Sequence, residues 1–268
     1  MIYIVVALPA EARPLIARYG LRDRPAGTPF PVYRNAGMAL TVSGPGKIAA
    51  AAAAACLGSG GPAAGTPAWL NIGVAGHATR AIGSGVIANR ITDTATGTNW
   101  YPPQLLDHAI SGGSLRTVDA AEIGYPDDAL YDMEASGFYP TACRFSTAEF
   151  VQCFKVVSDN RTTPASGITA RLCERLLDGQ LASIDRLVRR LTDMARDYNA
   201  WHAPHPELDR LAGCWHFSVT QQHRLRELAR RWTALAPGQP LWDAELENRR
   251  NAAEVLQCLE HRLAAIGF

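Results

Sequence analysis

Short apolar runs alternate with small-residue turns through the first part of the chain. Ile2–Leu8, Ala39–Val42, Trp69–Ile72, Val86–Ile91 and Phe154–Val157 are continuous rather than alternating, the pattern of strands covered on both faces in an α/β sheet. Between them Glu11–Tyr19 and Lys47–Leu57 are expected as helices, each entered just after Pro or Gly. Gly58–Pro67 and Asn99–Pro103 read as loops from their Gly, Pro and Thr content. From about Ile168 the texture changes to helix alone. Ile168–Tyr198 carries Leu172, Leu176, Leu177, Leu181, Ile184, Leu187, Val188 and Leu191 near helical spacing, and the Pro-containing stretch Trp201–Pro206 interrupts it. Ser218 with Gln221 predicts a capping box ahead of a helix whose stripe is Leu225, Leu228, Trp232 and Leu235. A last helix is expected over Trp242–Ala265. The pattern predicts one α/β domain over residues 1–197, a central mixed β-sheet flanked by helices, and an all-helical C-terminal extension over 198–268.

Composition narrows the function classes. The 268 residues carry a formal net charge of +1, so no global field recruits nucleic acid or an acidic membrane surface. The run Ile48–Leu57 is too short and too weakly apolar to span a bilayer, and Met1–Val6 lacks the basic lead-in of a signal peptide. A cytoplasmic protein is expected. Six cysteines are scattered with no CxxC pair, which suits reduced thiols in a packed interior. The spacing of His202, His205, Cys214 and His216 matches no strong zinc pattern, and no metal site is expected. Over Tyr198–Phe268 the arginines are matched in number by Asp and Glu, which favours a packing or assembly element over a phosphate-binding arm. A homo-oligomer, through or modified by these helices, is the expected assembly.

Candidate chemistry lies at the ends of the apolar runs, where ligands collect in open α/β sheets. Val6-Ala7-Leu8-Pro9-Ala10-Glu11 places a carboxylate in the first turn of a helix, a position that also stabilises the helix dipole. Val42-Ser43-Gly44-Pro45-Gly46-Lys47 looks like a phosphate loop but fails that pattern: the preceding glycine is absent and Ile48 stands where Ser or Thr belongs. Asn71-Ile72-Gly73-Val74-Ala75-Gly76-His77 ends in small residues that leave room for a flat or sugar-like ligand, and no GxGxxG is present. Tyr131-Asp132-Met133-Glu134-Ala135 and Lys155-Val156-Val157-Ser158-Asp159-Asn160 complete the set. Acidic groups at the end of a β-branched strand are costly to bury without a task or a partner. The chain's two lysines, Lys47 and Lys155, both lie beside these motifs.

Taken in order and spacing, Ala7–Glu11, Ser43–Lys47, Asn71–Gly76, Met133–Ala135 and Val157–Asp159 resemble the nucleoside phosphorylase and methylthioadenosine/S-adenosylhomocysteine nucleosidase superfamily, over about Met1 to Asp197. The resemblance implies cleavage of the N-glycosidic bond of a purine nucleoside or 5′-modified adenosine. Asp159 would protonate the base at N7 as general acid. Glu134 would accept hydrogen bonds from ribose hydroxyls and favour the oxocarbenium-like sugar. Met133 would pack on the sugar, Glu11 would deprotonate the attacking water, and Ala7, Ala75, Gly76 and Ser158 would complete the pocket wall. No cofactor is implied, with inorganic phosphate a co-substrate if the reaction is phosphorolytic.

Departures mark the limits of the resemblance. Val74 stands where the nucleosidases commonly have serine, Asp132 replaces the usual Glu of a Glu-Met-Glu triplet, and the stretch Arg116–Gly124 aligns poorly. Hydrolysis is favoured over phosphorolysis because Glu11 would repel a phosphate dianion, although Arg13, Lys47 and Arg161 could supply positive charge. A further alternative is a non-catalytic nucleoside-binding module with a helical interaction tail.

Overall fold

The computed structural model describes residues 1–22, 27–60, 65–105 and 109–266. The chain divides into two compact units, Met1–Arg196 and Asp197–Phe268, with the division falling inside a helix.

In the first unit the expected apolar runs form strands β1 (Ile2–Val6), β3 (Met38–Val42), β4 (Ala68–His77), β5 (Gly85–Asp93) and β9 (Val151–Asp159). Between them lie α1 (Pro9–Tyr19), β2 (Val32–Arg34), α2 (Lys47–Ser59), β6 (Asn99–Trp100), β7 (Ser111–Thr117), β8 (Leu130–Asp132) and α3 (Ala135–Ala142). Among the described residues the strands form one mixed sheet in the order β2-β3-β1-β4-β8-β7-β5-β6, and β9 pairs with both β4 and β5. That double pairing closes β4, β8, β7, β5 and β9 into a circuit of hydrogen-bonded neighbours. The β1, β4 and β9 strands are mutually parallel across their pairings, so their carboxyl ends lie on one side. There β8 meets the tip of β4 antiparallel, with Gly76 opposite Tyr131.

Strands β1, β4 and β9 are buried along nearly their whole length, as continuous apolar runs demand. Trp69 on β4 anchors the core, with Tyr3 edge-on at 4.7 Å between ring centroids and Phe138 of α3 at 6.3 Å. Alanine-rich α2 buries Ala50, Ala53, Ala54 and Leu57. Its small residues and Gly137 let α2 and α3 approach closely: a Cβ on Gly137 would lie 1.8 Å from the Lys47 carbonyl oxygen.

Several expected boundaries shift. The first strand stops at Val6 because Pro9 opens α1, and Leu8 is its N-cap residue. Gly58 and Ser59 belong to α2 rather than to the following loop; of that loop, residues 61–64 lie outside the described residues. Asn99 and Trp100 pair with Thr92 and Ile91 instead of being loop. The single helix expected over Ile168–Tyr198 is two, α4 (Ala170–Gly179) and α5 (Leu181–His202). Gly179 weakens the helix there, and the Gln180 side chain leaves it to donate to the Gly83 carbonyl at 2.7 Å.

The second unit contains α6 (Leu208–Cys214), α7 (Val219–Leu235), α8 (Ala244–Glu247) and α9 (Ala252–Ala265). Ser218 and Gln221 make both halves of the capping box, and Leu225, Leu228 and Trp232 are buried. The helix expected over Trp242–Ala265 is interrupted at 248–251. Asp243 caps α8 and Asn251 caps α9, each accepting from a backbone N–H three residues on, and these caps fix two starts instead of one. No described helix is long and apolar enough to cross a membrane.

Candidate active site

The three carboxylates named above meet at one cavity in the first unit. It has a volume of about 210 Å³ and is lined by Ala7, Glu11, Ala75, Gly76, Met133, Glu134, Ser158 and Asp159, among others. Residues far apart in sequence converge because each follows or ends a strand at the same side of the sheet. Leu8, Pro45, Val118, Ala121, Glu122, Tyr131, Ala165 and Ile168 also line it. A second cavity of about 520 Å³ shares Pro45, Val118 and Met133 with the first and adds Phe30, Lys47, Ile48 and Asp119.

Glu11 is 2% exposed. Its Oε2 accepts from the backbone N–H groups of Ala7 and Leu8, both at 2.9 Å, and its Oε1 accepts from Val74 N at 2.9 Å. Burial pushes its carboxyl above the ordinary carboxylate range, opposed by the charge of Lys155 and by those backbone donors. Glu11 therefore caps the start of α1 and faces the cavity at once. The backbone of Val74 reaches it even though the side chain carries no hydroxyl.

Glu134 Oε1 accepts from Gly46 N at 2.9 Å. Gly44 and Gly46 both have positive φ, 82° and 101°, so the glycine loop serves to present a backbone N–H to a carboxylate, a conformation other residues rarely adopt. Burial raises the Glu134 carboxyl too, and Lys155 opposes the rise while Asp132 adds to it. Lys155 is 1% exposed. Its Nζ lies 2.8 Å from Asp132 Oδ2 and 3.9 Å from Glu134 Oε2. Burial works against its charge, but Asp132 and Glu134 outweigh burial and hold the ammonium above its usual range. Asp132 also accepts from the Thr117 hydroxyl at 2.8 Å and from Ala135 N at 3.0 Å, which fixes the entry to α3.

Asp159 closes the set. Ser158 Oγ donates to its Oδ1 at 2.5 Å and the Tyr125 hydroxyl donates to its Oδ2. Two glycines on β4 make room for these groups. A Cβ on Gly73 would lie 2.9 Å from Glu11 Oε1, and one on Gly76 would lie 2.6 Å from both Asp159 Oδ2 and Tyr125 Cε1. Between Ala75 and Gly76 the register shifts: Ala75 faces Val157 and Gly76 faces Asp159, so Ser158 is an extra residue on β9, a bulge of the kind often found beside sites. The space beside Gly76, expected to serve a ligand, is thus occupied in part by Tyr125.

The cations near the motifs are engaged. Lys47 Nζ pairs with Asp93 at 3.0 Å and Asp119 at 2.9 Å, Arg13 pairs with Glu174, and Arg161 donates to the Tyr125 carbonyl at 2.8 Å. No cluster of His, Cys, Asp and Glu among the described residues could hold a metal ion. Sequence reasoning missed Tyr125 and left Lys155 without a role. The available signal for Lys155 was a lysine inside an otherwise buried strand; Tyr125 lies in a stretch with no periodicity to place it.

No family model matches the chain, and no curated protein matches it in sequence. Solved structures do. Arabidopsis thaliana 5′-methylthioadenosine nucleosidase in apo form superposes with a TM-score of 0.61 at 15% identity, covering 71% of this chain and 95% of that one. This chain has the nucleosidase fold. The 5′-methylthioadenosine/S-adenosylhomocysteine nucleosidase from S. pneumoniae, solved with a transition-state inhibitor, gives a TM-score of 0.54 at 20% identity, covering 71% of this chain and 99% of that one. Futalosine hydrolase from Helicobacter pylori gives 0.56 at 13% identity, covering 70% and 97%. An α/β fold with a central mixed sheet flanked by helices is common to the expectation and the structure.

Proposed function

We propose that the Met1–Arg196 unit cleaves the N-glycosidic bond of a purine nucleoside or 5′-modified adenosine and releases the free base, with water as nucleophile. The observation that carries this reading is the convergence of Glu11, Glu134 and Asp159 on one cavity, each buried and held by protein donors. Burying three carboxylates together is expensive unless each has work to do. The structural neighbours include a methylthioadenosine nucleosidase and a futalosine hydrolase, which supports the same reading.

In this reading Asp159 passes its proton to N7 of the base, so that the C1′–N9 electron pair leaves on a neutral purine. Glu134 accepts from the ribose hydroxyls and its negative charge offsets the positive charge growing on the sugar. Glu11 takes a proton from water as its oxygen bonds to C1′. Its carboxylate spends three acceptor positions on backbone donors and retains one for that water, while burial raises its basicity. Phosphate is the poorer nucleophile here: Glu11 repels the dianion, and Lys47, Arg13 and Arg161 are each committed to other partners. The adjoining larger cavity offers room for a 5′ substituent.

The test is Glu134→Gln and Asp159→Asn, each assayed for base release and for melting temperature. Loss of turnover with the fold retained is expected; undiminished turnover in either variant removes that residue from the mechanism.

A further inference from the structure

Tyr125 is buried beside the site in a way that packing alone does not require. Its ring is 1% exposed and clusters with Ala78, Ala129 and Tyr131, the two tyrosine rings meeting edge-on with centroids 5.9 Å apart. A phenylalanine would fill that cluster equally well. The hydroxyl goes to Asp159 Oδ2, and Gly76 is the condition for the contact, since any Cβ there would meet both partners. The backbone of Tyr125 has φ +45°, a conformation that non-glycine residues adopt only where the surroundings hold them. Arg161, two residues beyond Asp159, supplies one such hold through its bond to the Tyr125 carbonyl.

A carboxylate oxygen has two acceptor positions. Ser158 takes one on Oδ1 and Tyr125 one on Oδ2, so the group is pinned through both oxygens and keeps a free position on each. With Ser158 alone the carboxyl could rotate. Hydroxyl donors also bind the carboxylate more strongly than the carboxylic acid, so both bonds strengthen as the proton leaves for the base. Resting on the nucleosidase reading above, we propose that Tyr125 is a positioning residue for leaving-group activation: its hydroxyl fixes the Asp159 carboxyl in the orientation that meets N7 of the purine.

The experiment uses the full chain and two substrates. One is the purine nucleoside turned over fastest by the wild type. The other is a 4-nitrophenyl riboside with the same 5′ group, whose leaving group departs as a stable anion and needs no proton. Tyr125→Phe is expected to lower kcat on the nucleoside about 10- to 100-fold, the value of one hydrogen bond to a charged group, with KM nearly unchanged and nitrophenyl release unaffected. Combined with Asp159→Asn, Tyr125→Phe should cost nothing further, and that double variant leaves no carboxylate with a missing donor, which guards against misfolding. Equal losses on both substrates, losses that multiply in the double variant, or wild-type turnover of the nucleoside by Tyr125→Phe would each overturn the proposal. If the nitrophenyl compound is not a substrate, the cycle of variants on the nucleoside decides. A wild-type chain that releases no base from any nucleoside overturns the nucleosidase reading and this proposal together, whereas base release untouched by Tyr125→Phe overturns the proposal alone.

Discussion

Replacing Lys155 by Met keeps the length of the side chain and removes the one charge that Asp132 and Glu134 share. The ammonium sits 2.8 Å from the first and 3.9 Å from the second, with the lysine 1% exposed. At 4 Å and an effective dielectric of about 20, a pair of unit charges is worth about 4 kcal/mol. Removing one partner of a buried pair costs about 3–5 kcal/mol because the other charge stays buried and uncompensated. For a unit of this size that lowers the melting temperature by roughly 2–4 °C per kcal/mol, or ~6–20 °C. The loss should depend on pH, with a sign fixed by Glu134. Burial already holds its folded carboxyl above the ordinary value of 4.5, with Lys155 pulling it down; without Lys155 it rises further. A carboxyl raised by folding binds more protons folded than unfolded, so stability falls as pH rises through the raised value. The deficit of Lys155→Met should therefore be larger at about pH 8 than at about pH 5. Thermal melts of wild type and variant at both pH values measure it. A deficit under ~1 kcal/mol, or one equal at both pH values, refutes the view that Lys155 neutralises Asp132 and Glu134.

Further predictions follow from single contacts. Gly73→Ala places a methyl 2.9 Å from Glu11 Oε1, and a carboxylate tied to backbone at both oxygens has little freedom to move. Displacements of up to ~1 Å cost on the order of 100-fold in rate, so kcat should fall about 10- to 100-fold with little change in KM, read by steady-state kinetics. Asp93, buried against Ser136 and Lys47, is held down to about 2 despite the opposing effect of burial. A depressed carboxyl stabilises the fold above its ordinary value and loses that contribution as pH falls through the depressed one. Asp93→Asn should thus cost ~2 kcal/mol at neutral pH and progressively less between about pH 4 and 2, measured by denaturant titration. For the second unit, we propose a role in assembly; a chain ending after His202 should have a lower mass number of copies in solution than the full chain by light scattering, and an unchanged number would remove that role.

The strands that were legible in the sequence are those buried on both faces, since apolar runs such as Ile2–Leu8 or Phe154–Val157 can be little else. β7 escaped notice because Ser111-Gly112-Gly113-Ser114 carries none of the apolar or β-branched signal of a strand, and its pairing with β5 and β8 supplies what the residues do not. Helix α3 contains Gly137 and Pro140, residues that disfavour a helix interior, yet Gly137 is what allows contact with α2. The site was readable where a carboxylate follows an apolar run, as for Glu11 and Asp159. It was not readable where a side chain works through another: Lys155 acts through partners on β8 and beyond it, and Tyr125 reaches Asp159 from a segment whose position only the fold determines. The glycines near the site were visible but their beneficiaries were not, because a glycine names the space it leaves and not the group that fills it.

The central claim is that three converging carboxylates cleave a purine nucleoside with water. Chromatographic measurement of free base from a panel of purine nucleosides and 5′-modified adenosines, with and without inorganic phosphate, tests it most directly. The account predicts base release without phosphate by the wild type and only a small residual rate by Asp159→Asn. Release that strictly requires phosphate would contradict the choice of nucleophile, and no release under either condition would contradict the claim itself.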